Sequence, residues 1–414
     1  MERWIFHVDI NNCYASIECS LRPELKDKAV AVGGDPEQRH GIILAKNQLA
    51  KSYGIKTGET LWEAKGKCPD LVILKPNFPL YLEYSKRARA IYESYADRVE
   101  PFGIDECWLD VSGYNGDVYA LAEEIRERMK KELGITVSIG VSFNKIFAKL
   151  GSDMKKPDAV TQITKENFRD KVWGLPVSDL LFVGRSTTAK LLRYGVKTIG
   201  ELAQTRIDFL TQWFGKNGIM LWRYANGLDN SPVMYAGTER EVKSVGNGTT
   251  AYRDLVSNED VRVIVFTLAE SVAMRLREHK IKARGVSISI RDKDLITYSR
   301  QARLDMPTSD AVDIARAALT LFFKNHDFER GAKPVRSVTI CGFDVVSETA
   351  PIQLRLDVSA RKLERTERLN RSLDAIRERF GYTSIKHAVI LEDKTFSEFD
   401  TALQNEIHPV GLLA

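Results

Sequence analysis

The sequence predicts a multidomain α+β protein, and three observations carry that reading. A chain of 414 residues exceeds what one ordinary hydrophobic core organises. Across residues 1–165, short β-rich runs bounded by Gly, Pro or Asn alternate with amphipathic helical stretches. A Gly-broken helical region follows, and beyond it strands and helices alternate again.

Trp4 to Ile10, Glu106 to Ser112 and Ile135 to Ser142 read as strands. From Asp117 to Leu133, Val118, Leu121, Ala122, Ile125, Met129 and Leu133 recur at three-to-four spacing opposite Glu, Arg and Lys, the pattern of a helix lying on a sheet. Tyr81 to Ala96 is also helical, and Phe102 to Asp110 forms a hairpin. After Pro157, glycines 184, 195, 200, 215, 218 and 227 divide residues 166–233 into short helices, predicting a compact helical domain. From Arg240 to about Val346 the expected strands are Val286 to Arg291 and Val335 to Phe343, with helices over Val261 to His279 and Ser309 to Lys324. Past Pro351 the chain becomes a charged tail with one helix, Ala360 to Phe380.

With 43% hydrophobic and 28% charged residues, the composition is that of a globular protein and excludes a disordered one. The net charge of +5 is unevenly spread: residues 141–240 hold fifteen Lys/Arg against nine Asp/Glu. Such a surplus suits either a polyanionic partner or a solvated basic face. The five cysteines never fall in C-x-x-C spacing, which argues against a zinc or redox site and for a reducing compartment. No apolar run approaches the ~18 residues of a membrane span, so the expectation is a cytoplasmic protein with no membrane contact.

Acids stand where strands end. Asp9 closes the first strand, and Asp105 with Glu106 forms an adjacent pair at a turn between two others. Side chains adjacent on a strand diverge, but at a turn both can converge. Three carboxylates in one place repel, so such a cluster persists when cations occupy it. Taken singly, each acid reads first as a turn or strand-end residue with no chemistry, and spacing alone does not bring Asp9 to Asp105.

The segment His7-Val8-Asp9-Ile10-Asn11-Asn12-Cys13-Tyr14-Ala15-Ser16-Ile17-Glu18 resembles the first motif of the Y-family translesion DNA polymerases, the DinB/UmuC group. Gly103-Ile104-Asp105-Glu106-Cys107-Trp108-Leu109-Asp110 resembles their second acidic motif, and Val141 to Pro157 is similar to the third. Leu175-Pro176-Val177 through Val183-Gly184-Arg185 looks like the start of their thumb, and Lys243-Ser244-Val245-Gly246 like the entry to their little finger. The resemblance covers about residues 4–347. It implies a right-hand polymerase: palm over 1–18 and 77–165, small fingers over 19–76, a helical thumb over 166–239, a separate α+β little-finger domain over 240–347, and a tail over 348–414.

The same resemblance implies an enzyme with two Mg²⁺ ions, primer-template DNA and deoxynucleoside triphosphates, working as a monomer. Asp9 and Asp105 would bridge the ions, Glu106 would bind the catalytic one, and the Ile10 carbonyl would complete the shell. Tyr14 matches a steric gate against a 2′-hydroxyl. Lys156 matches a triphosphate-contacting lysine. Gln48 and Lys51 stand where many members carry a phosphate-holding Tyr and Arg, Asn11 stands where an Asp is common, and Cys13 where an aromatic is common.

Val183 to Gly200 looks like a helix-hairpin-helix, in which Gly184, Arg185, Lys190 and Lys197 would hold a DNA phosphate. A plain helical hairpin with C-capping glycines competes with that reading. Lys282, Arg284, Arg291, Lys293, Arg300 and Arg303 crowd the last strand-rich stretch, and Arg284, Arg291 and Arg300 are taken as DNA contacts. Gln353-Leu354-Arg355-Leu356-Asp357 resembles a sliding-clamp peptide through Gln353, Leu354 and Leu356, with ordinary linker as the alternative. Two other functions compete with the polymerase. A silent DNA-bound scaffold of the same fold typically loses the acids, and a nucleotide cyclase would need neither the helical hairpin nor the basic final domain.

Overall fold

The computed structural model describes residues 2–34, 41–238, 241–351, 353, 359–393 and 395. The chain divides into two compact units, one of residues 1–35 and 41–239, the other of 36–40 and 240–414.

The first unit is organised by a five-stranded sheet in the order Val99–Pro101, Glu106–Asp110, Ile5–Ile10, Val137–Ser142, Val160–Ile163. Only the last junction is parallel. Ile5–Ile10 is central and wholly buried, with apolar Phe6, Val8 and Ile10 alternating with Ile5, His7 and Asp9. On one face Phe6, Val8, Ile10, Cys107, Leu109, Ile139 and Val141 form a core with helices Phe78–Glu93 and Val118–Leu133. Asp117 caps the second of these, accepting from the Tyr119 amide at 2.8 Å, and Gly134 ends it at φ 68°.

The opposite face carries His7, Asp9, Glu106 and Trp108, which strand alternation sets together. Helix Lys145–Met154 covers it, started by the Asn144 side chain accepting from the Phe147 amide at 2.8 Å. It lies so close that a Cβ on Gly140 would fall 1.9 Å from the Ala148 carbonyl oxygen. The close approach of sheet and helix therefore requires glycine at 140, and Gly151 on the helix faces it, a Cβ there falling 3.1 Å from the Gly140 Cα.

A small sheet, Ile43–Lys46, Val30–Gly33 and Val72–Leu74, stands over a minor core of Ala31, Ile43, Ala50, Ile55, Ala64, Cys68 and Leu71. Four helices, Arg185–Arg193, Ile199–Gln204, Ile207–Phe214 and Lys216–Ala225, enclose another core that includes Leu191, Ile199, Leu202, Leu210 and Leu221.

The second unit has four antiparallel strands in the order Thr297–Thr308, Ile281–Asp292, Val335–Ser347, Ser244–Leu255. Helices Asn258–Glu278 and Ala311–Asn325 share its core. The sequence reading anticipated the two inner strands and missed both edges. The edge strand Thr297–Thr308 has no buried residue, and Ser244–Leu255 has few, so neither shows a clean apolar alternation. Helix Ala360–Phe380 docks on this unit through charged pairs, Arg277 with Asp374 at 2.5 Å, Lys282 with Glu367 at 2.8 Å and Arg377 with buried Glu270 at 2.8 Å. Among the described residues no helix is long and apolar enough to cross a membrane.

Candidate active site

The first strand places Asp9 directly opposite Glu106 in antiparallel register, and the Ile10 amide donates to the Asp105 carbonyl at 2.9 Å. The segments bearing the three acids, nearly a hundred residues apart in sequence, thus meet at one sheet end. Sequence spacing could not supply that meeting; strand pairing does.

Two lysines fill the space between these acids and the covering helix. The Lys149 Nζ lies 3.3 Å from Asp9 Oδ2, 3.1 Å from Glu106 Oε1 and 2.9 Å from Asp153 Oδ2. Lys156 Nζ lies 2.7 Å from the same Asp9 oxygen and 2.8 Å from Asp153 Oδ1. Burial disfavours the charge on Lys149, but Glu106, Asp9 and Asp153 outweigh it and hold the ammonium above its ordinary pKa. Burial, then Glu106, raises the Asp9 carboxyl despite Lys149 and Lys156. Burial, then the charges of Glu106 and Asp9, pushes Asp105 up to about 7 despite the opposing charge of Lys149.

His7 shows how tightly the face is specified. Ser152 Oγ gives its one proton to the Lys149 carbonyl at 2.7 Å, so it accepts from His7 Nδ1 at 2.8 Å. Nε2 then presents a lone pair 3.3 Å from Glu106 Oε2. An ion pair there would require a charged imidazole, yet burial and Lys149 hold the His7 pKa well below its usual value. Both facing atoms are buried without a hydrogen-bond partner.

These features fit a divalent cation. An orphaned carboxylate oxygen and an acid lifted by its neighbours are both relieved by added positive charge, and the donors are the hard oxygens that Mg²⁺ prefers. Among the described residues no three His, Cys, Asp or Glu groups form a ready-made metal cage. Mg²⁺ is typically held by one or two carboxylates, with the remaining ligands from substrate phosphate and water.

Tyr14 lies in helix Cys13–Leu21, stacked on Tyr81 with centroids 4.3 Å apart and edge-on to Phe78. Burial, with Cys13 and Asp105 nearby, pushes its hydroxyl up to about 12, so it stays a neutral ring. Tyr81 is anchored by donating to buried Glu18 at 2.8 Å. Gln48 and Lys51 stand exposed on the short helix Gln48–Ser52. Asn47 fixes that helix, accepting from the Ala50 amide at 2.9 Å and donating to the Lys28 carbonyl at 2.8 Å.

Gly184 caps helix Arg185–Arg193 with no side-chain hydrogen bond to its first amides, and Arg185, next in the chain, and Lys197 are exposed. Lys190 is engaged within the fold: its ammonium bonds the Trp213 carbonyl of helix Ile207–Phe214 and lies over the Phe214 ring. In the second unit Arg284 and Arg291 are exposed. Arg300 pairs across from buried Ile288 and bonds Asn325 of helix Ala311–Asn325 at 2.9 Å, so it belongs to the helix-covered side of the sheet. Gln353 is exposed, while Leu354 and Leu356 lie outside the described residues.

Sequence reasoning missed Lys149, His7, Ser152 and Asp153 as parts of the site. Lys149 and Asp153 carry the one available signal, an i,i+4 ion pair on a helix following a strand.

Residues 8–153 match the pattern of the impB/mucB/samB family, residues 242–356 that of the same family's C-terminal domain, and residues 178–229 that of the DNA polymerase-iota thumb domain. A protein named DNA polymerase IV from Acetivibrio thermocellus is 53% identical over 397 residues, covering 95% of this chain and 99% of that protein. DNA polymerase IV 1 of Bacillus subtilis is 37% identical over 395 residues, covering 94% of each chain. Among solved structures, the Y-family DNA polymerase chimera Dbh-Dpo4(243-245)-Dbh shares the fold with a TM-score of 0.72, at 20% identity, over 83% of this chain and 99% of its own.

Proposed function

The chain belongs to the impB/mucB/samB family of Y-family DNA polymerases and is a DNA-directed DNA polymerase, and from that premise we propose that it extends primers by two-metal-ion nucleotidyl transfer across damaged templates. The observation that carries the proposal is the pairing of Asp9 with Glu106 beside Asp105 at one sheet end. Two Mg²⁺ ions, when bound there, would make the primer 3′-hydroxyl a better nucleophile and neutralise the triphosphate in the in-line displacement.

The chain's own groups do the rest. Asp9, Asp105, Glu106 and the Ile10 carbonyl would hold the ions. Lys149, at 3.3 Å and 3.1 Å from Asp9 and Glu106, holds two mutually repelling carboxylates at a fixed separation. Lys156 is a point charge on a flexible stem next to Asp9 and is the residue to meet the triphosphate. Tyr14, held flat against Tyr81, would meet the sugar and exclude a 2′-hydroxyl by overlap.

Residues 1–18 and 77–165 serve as palm, 19–76 as fingers, 166–239 as thumb and 240–347 as little finger. The fingers are small, with a minor core that includes Ile43, Ile55 and Leu71 beside a three-stranded sheet, which supports a loose check on the nascent base pair and hence low fidelity. Gly184, Arg185 and Lys197, with Arg284 and Arg291, would grip the DNA backbone without reading sequence. The tail peptide beginning at Gln353 would tether the enzyme to a sliding clamp, raising its effective concentration at the primer end.

Primer extension in Mg²⁺ on matched undamaged and lesion-bearing templates tests the proposal. The expected result is incorporation opposite the lesion at a rate comparable to that on the intact template. Extension that stops one nucleotide before every lesion offered removes the translesion role and leaves only the polymerase.

A further inference from the structure

We propose that Asn11 is a positioning residue for Lys156: its side-chain carbonyl pins the turn that carries that lysine beside Asp9. The inference rests on the function proposed above, in which Lys156 meets the triphosphate.

Asn11 is 3% exposed and follows the central strand directly. Its main chain is fully engaged, the amide donating to the Thr136 carbonyl at 3.0 Å and the carbonyl accepting from Ser16 Oγ at 2.5 Å. The side chain is engaged as well. Nδ2 donates to Ser138 Oγ at 2.9 Å, and Oδ1 accepts from Thr136 Oγ1 at 3.1 Å and from the Asp158 amide at 2.8 Å. A backbone amide can only donate, so the Asp158 N–H fixes which end of the Asn11 amide faces it.

The turn in question joins helix Lys145–Met154 to strand Val160–Ile163. Asp158 sits there at φ 55°, in the left-handed region that aspartate tolerates better than most non-glycine residues. Its carboxylate is gripped by Arg126 at 2.6 Å and Lys130 at 3.0 Å, and the Ile139 amide takes the Ala159 carbonyl at 2.9 Å. Of these tethers, the bond that the Asp158 amide donates to Asn11 is the one that ties the turn to the end of the strand bearing Asp9. Lys156, two residues before it, reaches Asp9 Oδ2 at 2.7 Å on a long side chain. A flexible stem delivers its charge to one place only if its root is fixed, so the acceptor on Asn11 sets where the ammonium can go.

Two measurements test this. Amide hydrogen exchange at Asp158 reads the tether itself, without reference to activity. Protection should fall at least tenfold in Asn11→Leu and in the milder Asn11→Ser, and persist in Asn11→Asp, which keeps the acceptor while the Ser138 hydroxyl turns to donate. Steady-state incorporation reads the consequence: in the Leu and Ser variants the KM for the incoming nucleotide rises about tenfold, kcat changes less, and primer-template affinity is unchanged. In a Lys156→Ala background the same Asn11 changes add nothing further to KM. Unaltered Asp158 protection in both variants overturns the tether. Lost protection with KM effects that multiply those of Lys156→Ala overturns the coupling to that lysine. If Lys156→Ala alone leaves KM unchanged, the triphosphate assignment fails and takes this proposal with it, even though the tether survives in the exchange data.

Discussion

Replacing Asp105 by Asn tests whether the three acids repel as the structure requires. The Asp105 carboxyl is pushed up to about 7 by burial and by Glu106 and Asp9, from an ordinary value of 3.8. The folded state therefore holds this proton more tightly than the unfolded chain does. On its account stability is highest below about pH 4, falls as pH rises through the interval between the two values, and is fully penalised above about pH 7. Three units correspond to about 4 kcal/mol, and partial solvent access reduces that to about 2 kcal/mol. Asn keeps the shape and removes the charge. In EDTA at pH 8 the Asp105→Asn protein should melt higher than the wild type by roughly 4–8 °C for a unit of this size, with the gap closing toward pH 4. Adding Mg²⁺ at pH 8 should raise the wild-type Tm and leave the variant nearly unmoved. A variant that melts lower at pH 8, or a difference independent of pH, refutes the repulsion argument.

Three further outcomes follow from the same geometry. Tyr14→Ala should raise ribonucleotide insertion relative to deoxynucleotide insertion by an order of magnitude or more, read from single-nucleotide kinetics; unchanged discrimination removes its gate role. Gly140→Ala, which drives a Cβ to 1.9 Å from the Ala148 carbonyl, should cost about 2–4 kcal/mol in chemical denaturation and depress extension by shifting the helix that bears Lys149. Lys149→Met leaves the buried carboxylates without their shared cation, so the variant should melt below wild type in EDTA at pH 8, by an amount equivalent to a few kcal/mol, and recover in part with Mg²⁺.

The α+β class was readable because short runs rich in β-branched and aromatic residues, such as Ile5–Ile10, alternate with helices such as Val118–Leu133 that carry a clean apolar stripe. The edge strands of the second unit were not, since partners on one side only and a largely exposed surface leave no pattern of burial in the sequence. Asp9, Asp105 and Glu106 announced themselves as acids at strand ends, and the motif resemblance joined them. What the sequence hid is everything that depends on two segments meeting: the Lys149 bridge, the His7 and Ser152 chain, and the Asn11 bond to Asp158, whose partners lie 147 residues apart. The basic residues show the same limit from the other direction. Lys190 and Arg300 look like their neighbours in sequence, but one bonds a carbonyl of the helix Ile207–Phe214 and the other lies on the helix side of its sheet.

The most direct test is single-turnover incorporation of one correct nucleotide by the wild type and by Asp9→Ala, Asp105→Ala and Glu106→Ala proteins, with primer-template affinity measured alongside. Loss of the chemical step by about a thousandfold or more in each variant, with DNA affinity held, is the expected result. Incorporation near the wild-type rate by any one of the three would remove that acid from the chemistry.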